Sequence, residues 1–319
     1  MKNIRIAVLG TSHVHLPDHL AVIEQDPEAE LVALHHEPGS RSDVLLEGLP
    51  FVSTVEQALQ RADMAVIAST TAEHARLLAQ TAAAGVPALV EKPLGTTAAA
   101  TTALTPLLGA GPTTTAMFLR CAPALRRVRE VLTRGELGPV AHVHAAFTHP
   151  GFLDGVFSGA AEWMLSEERG GTGGFGDLGI HLVDLLRWLA PGRKLSVRGA
   201  ALTRRPDCAV DTGGLALLTW GEAPVSLHAG WTSRPGGFLL RIEGEAATVE
   251  VGAGGTELTM SADGPGRRER HPPIRAGAAL EAFLGDLRGH TLWEAPTAAD
   301  IEETGRVLDA VHAAAARPA

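Results

Sequence analysis

The stretch Ile4-Arg5-Ile6-Ala7-Val8-Leu9-Gly10-Thr11-Ser12-His13-Val14-His15-Leu16-Pro17 decides the fold. Its first six residues are β-branched and apolar apart from one cation, the composition of a short strand with both faces covered. Gly10 ends the run. A helical pattern then continues to about Gln25, with Pro17 in the first turn, where proline is tolerated. The same rhythm repeats downstream. Glu30 to Leu34 reads as a strand, Val55 to Gln60 as a short helix, Met64 to Ser69 as a strand, and Glu73 to Ala84 as a helix stopped by Gly85. Val86 to Val90, Thr97 to Leu108 and Thr115 to Leu119 continue as strand, helix and strand. Alternation of this kind implies right-handed crossovers and a parallel sheet with helices on both faces.

After about Arg120 the rhythm changes. A helix near Pro123 to Arg134 leads to a strand at Val140 to Phe147, a Gly-rich loop, and an amphipathic helix from about Leu178 to Leu189. Short strands with turns between them follow: Leu195 to Leu202, Leu215 to Trp220, Val225 to Trp231, Leu239 to Glu243, Thr248 to Val251 and Glu257 to Met260. Such a run predicts an antiparallel sheet with helices on one face and the other face open. Ser261 to Ala276, rich in Gly, Pro and Arg, reads as a surface loop, and helices near Ala278 to Arg288 and Ala298 to Ala315 close the chain. The expected fold is α/β with two domains, a Rossmann domain over residues 1–119 and an α/β domain with a mainly antiparallel open sheet over 120–319.

Size and composition agree with this reading. A chain of 319 residues is long enough for two domains with a core each, and 45% hydrophobic with 20% charged residues is ordinary globular usage. A net charge of −9 and a pI near 5.9 argue against a nucleic-acid groove, which needs surplus Lys and Arg on one face. The two cysteines, Cys121 and Cys208, form neither a disulfide framework nor a zinc-ligand spacing, and they suit a reducing compartment. Ile6 to Leu9 is too short for a signal-peptide core, and no apolar run approaches the ~18 residues of a membrane span. The expected setting is the cytoplasm, with a small molecule as partner rather than nucleic acid or membrane.

Where a strand runs through a glycine turn into a helix, the backbone can approach a pyrophosphate, which then rests on the positive helix end. The stretch Gly10-Thr11-Ser12-His13-Val14-His15 keeps only the first glycine, with Ser12 and His15 at the later glycine positions. Alone it also fits an ordinary βα turn. An acidic residue is expected at the end of the second strand to bind the adenosine ribose, and the sequence offers His35-His36-Glu37. Glu37 suits NAD, whereas Ser40 and Arg41 suit the extra phosphate of NADP, and the choice stays open. His15 and His19 share a helix face with Asp18 and His13 nearby, but no distant ligand set completes a metal site, so these read as hydrogen-bonded histidines.

Two constellations carry chemistry. Glu91-Lys92-Pro93 follows directly on the strand Val86 to Val90, at the carboxyl end where open α/β sheets bind ligands. A Lys held there can hydrogen-bond a substrate oxygen and stabilise alkoxide charge, or lose its proton if burial lowers its pKa; the plain alternative is a solvated Lys paired with Glu91. The second lies after Gly170-Gly171-Thr172-Gly173-Gly174-Phe175-Gly176. There Asp177, His181 and Asp184 fall at i, i+4 and i+7 and project from one helix face as a proton relay. The alternative is Asp177 as an N-cap and His181 as a satisfied core histidine.

These motifs together resemble the glucose-fructose oxidoreductase and inositol dehydrogenase (Gfo/Idh/MocA) family. The matching stretches are Asp63 to Ala75 with Ser69, Thr70, Thr71 and His74; Ala84 through Glu91-Lys92-Pro93-Leu94; Arg120 to Pro123; Gly135 to Gly138; Trp163; the Gly-rich loop; and Asp177 through Asp184. The resemblance implies NAD- or NADP-dependent hydride transfer on a secondary alcohol or ketone of a sugar, cyclitol or related polyol. It implies Lys92 polarising the reacting oxygen, His181 carrying the hydroxyl proton and Asp177 positioning both, with Trp163 also against substrate. Gly10, Thr11, Ser12, His13, His36, Glu37, Ser69, Thr70, His74, Glu91 and Lys92 would line the cofactor cleft, with no metal. A cis Lys92-Pro93 peptide and a homodimer or homotetramer assembled through the second domain are further implications. Met164 follows Trp163 where many relatives carry Arg. Two alternatives share the architecture: a nicotinamide-binding regulator without turnover, and a hydrolase or lyase that recycles a bound cofactor.

Overall fold

The computed structural model describes residues 3–36, 46–109, 111–262, 264 and 266–316. By its internal contacts the chain falls into two compact units. One comprises Met1–Ala116, Phe157–Gly171 and Ala276–Glu302, and the other Met117–Val156, Thr172–Arg275 and Glu303–Ala319. Two segments that follow residue 120 in sequence, one bearing Trp163 and one near the C-terminus, thus rejoin the first unit.

The first unit is built from β1 (Ile4–Leu9), α1 (Leu16–Gln25), β2 (Ala29–His35), β3 (Phe51–Val52), α2 (Val55–Leu59), β4 (Met64–Ile67), α3 (His74–Ala84), β5 (Ala88–Val90), α4 (Ala98–Leu104) and β6 (Thr114–Thr115). Local sequence explains the boundaries. Thr54 and Gln57 form a reciprocal capping box that starts α2, and Gly85, in the left-handed region, ends α3. The strands pair in the order β3-β2-β1-β4-β5-β6, all parallel. This is the Rossmann order, and its direction reverses between β1 and β4, where ligands bind at the carboxyl ends of the strands. Leu9, Ile67 and Val90 of the sheet pack with Leu77 and Leu78 of α3 in one buried cluster.

The second unit contains α5 (Pro123–Thr133), β7 (Val140–Thr148), α6 (Gly173–Leu189), β8 (Leu195–Thr203), β9 (Gly213–Trp220), β10 (Ala223–Gly230), β11 (Gly237–Gly244), β12 (Thr248–Gly252), β13 (Glu257–Ser261) and β14 (Arg267–Arg270). Two helices, α7 (Ala278–Leu287) and α8 (Ala298–Ala315), follow. The sheet order is β14-β13-β12-β11-β7-β10-β9-β8, antiparallel except where β7 pairs with β10. α6 packs on β10, β9 and β7, covering one face. On the opposite face β9 alternates, with Ala216 and Leu218 buried while Leu215 and Leu217 are exposed.

Three local expectations are corrected. Ser261 to Ala276 is not all loop: Arg267–Arg270 pairs with β13 as an edge strand whose charges, which made it read as loop, suit an unpaired edge. The last parallel strand is only Thr114–Thr115, and Phe118–Cys121 forms a short 3-10 turn. Gly173, Gly174 and Gly176 are not loop residues but the first turn of α6. A Cβ at Gly174 would lie 2.5 Å from the Thr212 carbonyl carbon, and one at Gly173 would collide with Asp211, so these glycines serve close packing.

Candidate active site

In the first unit the turn after β1 is shaped by contacts that its sequence only partly announces. Gly10 has φ of +90°, and a Cβ there would lie 2.5 Å from Cβ of Ser69, just beyond β4. Only glycine fits. The next residues are tied down one by one. Thr11 Oγ1 is 2.9 Å from His36 Nδ1, and the His36 ring stacks on Phe51 with centroids 4.3 Å apart. Ser12 offers its carbonyl to the Trp163 indole N–H at 2.9 Å, and the same indole lies 5.8 Å from the His13 ring. The turn left without its later glycines is thus held by side chains from the residue after β2, His36, and from the 157–171 segment. Glu37, Ser40 and Arg41 lie outside the described residues.

Lys92 sits at the carboxyl end of β5 and is 2% exposed. The Lys92-Pro93 peptide is cis. The loop that follows is anchored by His74 at the start of α3, whose Nδ1 lies 3.2 Å from the Leu94 carbonyl oxygen. Thr70 is buried ahead of a 3-10 turn, Thr71–Glu73, that leads into α3. Glu91 is buried and does not face solvent: Oε1 is 2.7 Å from His19 Nε2, and Oε2 is 3.6 Å from His13 Nε2. Burial alone would raise its carboxyl. The positive field of His13 and the hydrogen bond from His19, with smaller contributions from His15, outweigh burial and hold it well below the usual carboxylate range.

His19 was legible as a hydrogen-bonded histidine, but its spacing pointed only to neighbours on its own helix, His15 and Asp18. Its real partner is 72 residues away in sequence. His15 instead turns to Asp18 at 3.3 Å. Among the described residues no group of three or more His, Cys, Asp and Glu side chains is arranged to hold a metal ion.

In the second unit Asp177 and His181 lie on α6, both buried. Asp177 is not an N-cap, since the helix begins four residues before it. Its Oδ2 accepts the Trp231 indole N–H at 2.8 Å. The His181 ring lies 4.3 Å from Phe118 and 6.0 Å from Phe147, centroid to centroid. Asp184 leaves the proposed relay: Arg120 grips it with Nε at 2.8 Å and Nη2 at 2.6 Å, both side chains buried. Trp231 was read only as a strand terminus. Asp211 was missed altogether, yet its Oδ1 accepts the Phe175 N–H at 2.7 Å and its carbonyl accepts that of Gly174 at 2.8 Å, capping α6 from a distant loop. No local pattern in the sequence could reveal either contact.

The turn at Gly10 fits a dinucleotide. The glycine is required, and no side chain caps α1, whose N-terminus lies at the reversal of the sheet. Comparison with known proteins agrees. Residues 4–109 match the oxidoreductase family with an NAD-binding Rossmann fold, and residues 125–250 match the GFO/IDH/MocA C-terminal domain. The chain belongs to the Gfo/Idh/MocA family and is an NAD(P)-dependent oxidoreductase.

Among individual relatives, it is 26% identical over 263 residues to inositol 2-dehydrogenase 2 of Saccharopolyspora erythraea, spanning 76% of this chain and 72% of that one. Its fold is similar to an oxidoreductase from Agrobacterium radiobacter in complex with NAD+, L-tartaric acid and magnesium, with TM-score 0.81 and 19% identity over 99% of this chain and 97% of that one. A 3-ketoreductase from Actinomadura kijaniata in complex with NADP and TDP-benzene superposes with TM-score 0.79 at 22% identity, covering 98% of each chain.

Proposed function

We propose that this protein catalyses reversible hydride transfer between nicotinamide and a secondary alcohol or ketone of a sugar, cyclitol or related polyol. The observation that carries the reading is Lys92, a lysine almost wholly buried at the carboxyl end of a Rossmann strand, the edge of the sheet where open α/β folds bind their ligands. The bound NAD or NADP supplies the hydride acceptor or donor. In the oxidative direction the Lys92 ammonium hydrogen-bonds the substrate oxygen and stabilises its developing negative charge. His181 accepts the hydroxyl proton as the carbon–oxygen double bond forms, and Asp177, fixed by Trp231, positions substrate and imidazole. Trp163 contributes to the substrate pocket. Membership in a family with an inositol dehydrogenase supports the polyol class.

The test is net formation of reduced cofactor on a panel of cyclitols and sugars, followed by nicotinamide absorbance. Lys92→Ala and His181→Ala each lower turnover by at least about 100-fold, the usual scale of a positioned acid–base or oxyanion-stabilising group. Full activity in either variant contradicts these roles. Cofactor binding with no net reduction on any substrate favours a regulator or a redox-recycling hydrolase instead. The open face of the eight-stranded sheet, with Leu215 and Leu217 exposed, is proposed to pack against a second copy of this chain, and the cytoplasm is the proposed compartment.

A further inference from the structure

We propose that His19 is a positioning residue for the dinucleotide: through the carboxylate of Glu91 it holds helix α1, whose N-terminus seats the pyrophosphate, in register with the carboxyl ends of the parallel strands. The inference rests on dinucleotide binding by the first unit and is independent of the substrate. Its starting point is a missing contact. In the usual three-glycine turn the third glycine lets the helix pack closely on the strand. Here His15 occupies that place and is the N-cap of α1, so a side chain stands where close backbone approach is the rule. The distance and rotation of α1 over the sheet then depend on another contact.

The buried side of α1 supplies it. His19 lies one turn into the helix, wholly buried, and its Nε2 donates to Glu91 Oε1 at 2.7 Å. Glu91 is a fixed anchor. Its backbone N–H donates to the Ile67 carbonyl of β4 at 3.0 Å, its Oε2 accepts the Lys92 N–H at 3.2 Å, and the same oxygen is 3.6 Å from His13 Nε2. His13 in turn gives its backbone N–H to the carbonyl of Ala68, just past β4, at 3.1 Å. One carboxylate therefore ties together α1, the phosphate turn and the backbone of Lys92.

Packing alone does not call for such a link. A buried polar pair can often be replaced by apolar side chains of like volume without loss of stability, and its best-attested use is to fix one arrangement among several. α1 also has apolar contacts: Leu16, Val22 and Ile23 are buried along it, and Val22 meets Gly277 just before α7. Such contacts are non-directional and tolerate a small slide or rotation, whereas a hydrogen bond is bound to one distance and angle. His19 lies about 6 Å along the axis from His15, four residues at ~1.5 Å each. A shift at the anchor is therefore passed directly to the N–H groups that meet the pyrophosphate.

Fluorescence titration of the whole protein with NADH, and separately with NADPH, tests this on the wild type, His19→Leu and His19→Gln. Leucine keeps an apolar side chain and loses the donor, whereas the glutamine amide reaches the place of the imidazole Nε2. The expected result is affinity weakened by about 10–100-fold in His19→Leu, the scale on which a misplacement of ~1 Å tells, and restored in His19→Gln. A merely structural role would lower the stoichiometry or the melting temperature and leave the dissociation constant of the folded protein unchanged, and that result overturns the proposal alone. Equal weakening in both variants overturns it too, because the hydrogen bond is then not the cause. If His19→Leu does not fold, His19→Asn, whose amide is too short to reach Glu91, takes its place, and failure of both to fold makes the pair a requirement of the fold and also overturns the positioning role. No binding of either dinucleotide by the wild type overturns it together with the dehydrogenase reading.

Discussion

Asp184 shows how far a residue's chemistry can be read from spacing. Its place one turn beyond His181 suggested a third member of a proton relay, and both lie on α6 as expected. Spacing shows which side chains share a face but not what approaches that face. Arg120, 64 residues earlier, takes both carboxylate oxygens. The pair is therefore structural, and Arg120→Ala, which leaves a buried carboxylate unpaired, should destabilise the protein by about 3–5 kcal/mol. Denaturant unfolding of the variant measures this; a loss within experimental error would mean that Asp184 finds water or another cation. Lys92 is the opposite case. Its setting on the strand-end motif Glu91-Lys92-Pro93 was legible, because a strand, its carboxyl end and the proline that follows are all local signals. Glu91 was legible as a residue of the cleft but not as the partner of His19 and His13, since that contact depends on how α1 lies over the sheet.

Helix α6 illustrates the same limit at the level of an element. Five glycines among the seven residues from Gly170 to Gly176 read as loop, yet the last four residues of the stretch are helix. Gly173 and Gly174 are there because Asp211 and Thr212 approach too closely for a side chain, and no window of sequence around residue 174 contains residue 211. Asp211 takes two N–H groups of the first turn and places negative charge at the positive helix end. Asp211→Ala should cost about 1–2 kcal/mol, the usual value of a cap.

The same carboxylate meets His312 of α8 at 3.4 Å. The hydrogen bond to Asp211 raises the His312 pKa above 6.5 despite the opposing effect of burial, with Asp211 charge and the Leu308 carbonyl adding to the rise. Because the folded value lies above the unfolded one, this contribution is fully present below pH 6.5 and disappears as pH rises through the folded pKa. Melting temperature should therefore decline across that window, and the decline should be absent in His312→Gln. An identical pH profile for the two proteins would show that the pair contributes nothing.

For the molecule as a whole, the parallel, helix-covered sheet of the first unit followed from alternation, because local periodicity gives the elements and right-handed crossovers leave few ways to arrange them; the order of the strands was not read from the sequence. The return of the segments 157–171 and 276–302 to the first unit was not legible, because nothing in a helix or loop pattern states which sheet it packs against. The exposed face of β9 carries the assembly proposal. Leu217, at 51% exposure, is the position to change. Leu217→Glu should lower the molar mass in solution, measured by light scattering, from an oligomer to a monomer, while a wild-type monomer would remove the proposal. The central claim is hydride transfer on a polyol-like substrate with Lys92 and His181 as the acting groups. Its most direct measurement is nicotinamide absorbance during incubation with a cyclitol and sugar panel, run in parallel on the wild type, Lys92→Ala and His181→Ala. The account predicts net reduction of NAD or NADP by the wild type and its near-complete loss in both variants, with NADH or NADPH binding retained. Turnover that survives both substitutions, or bound cofactor that is never reduced by any substrate, would contradict it.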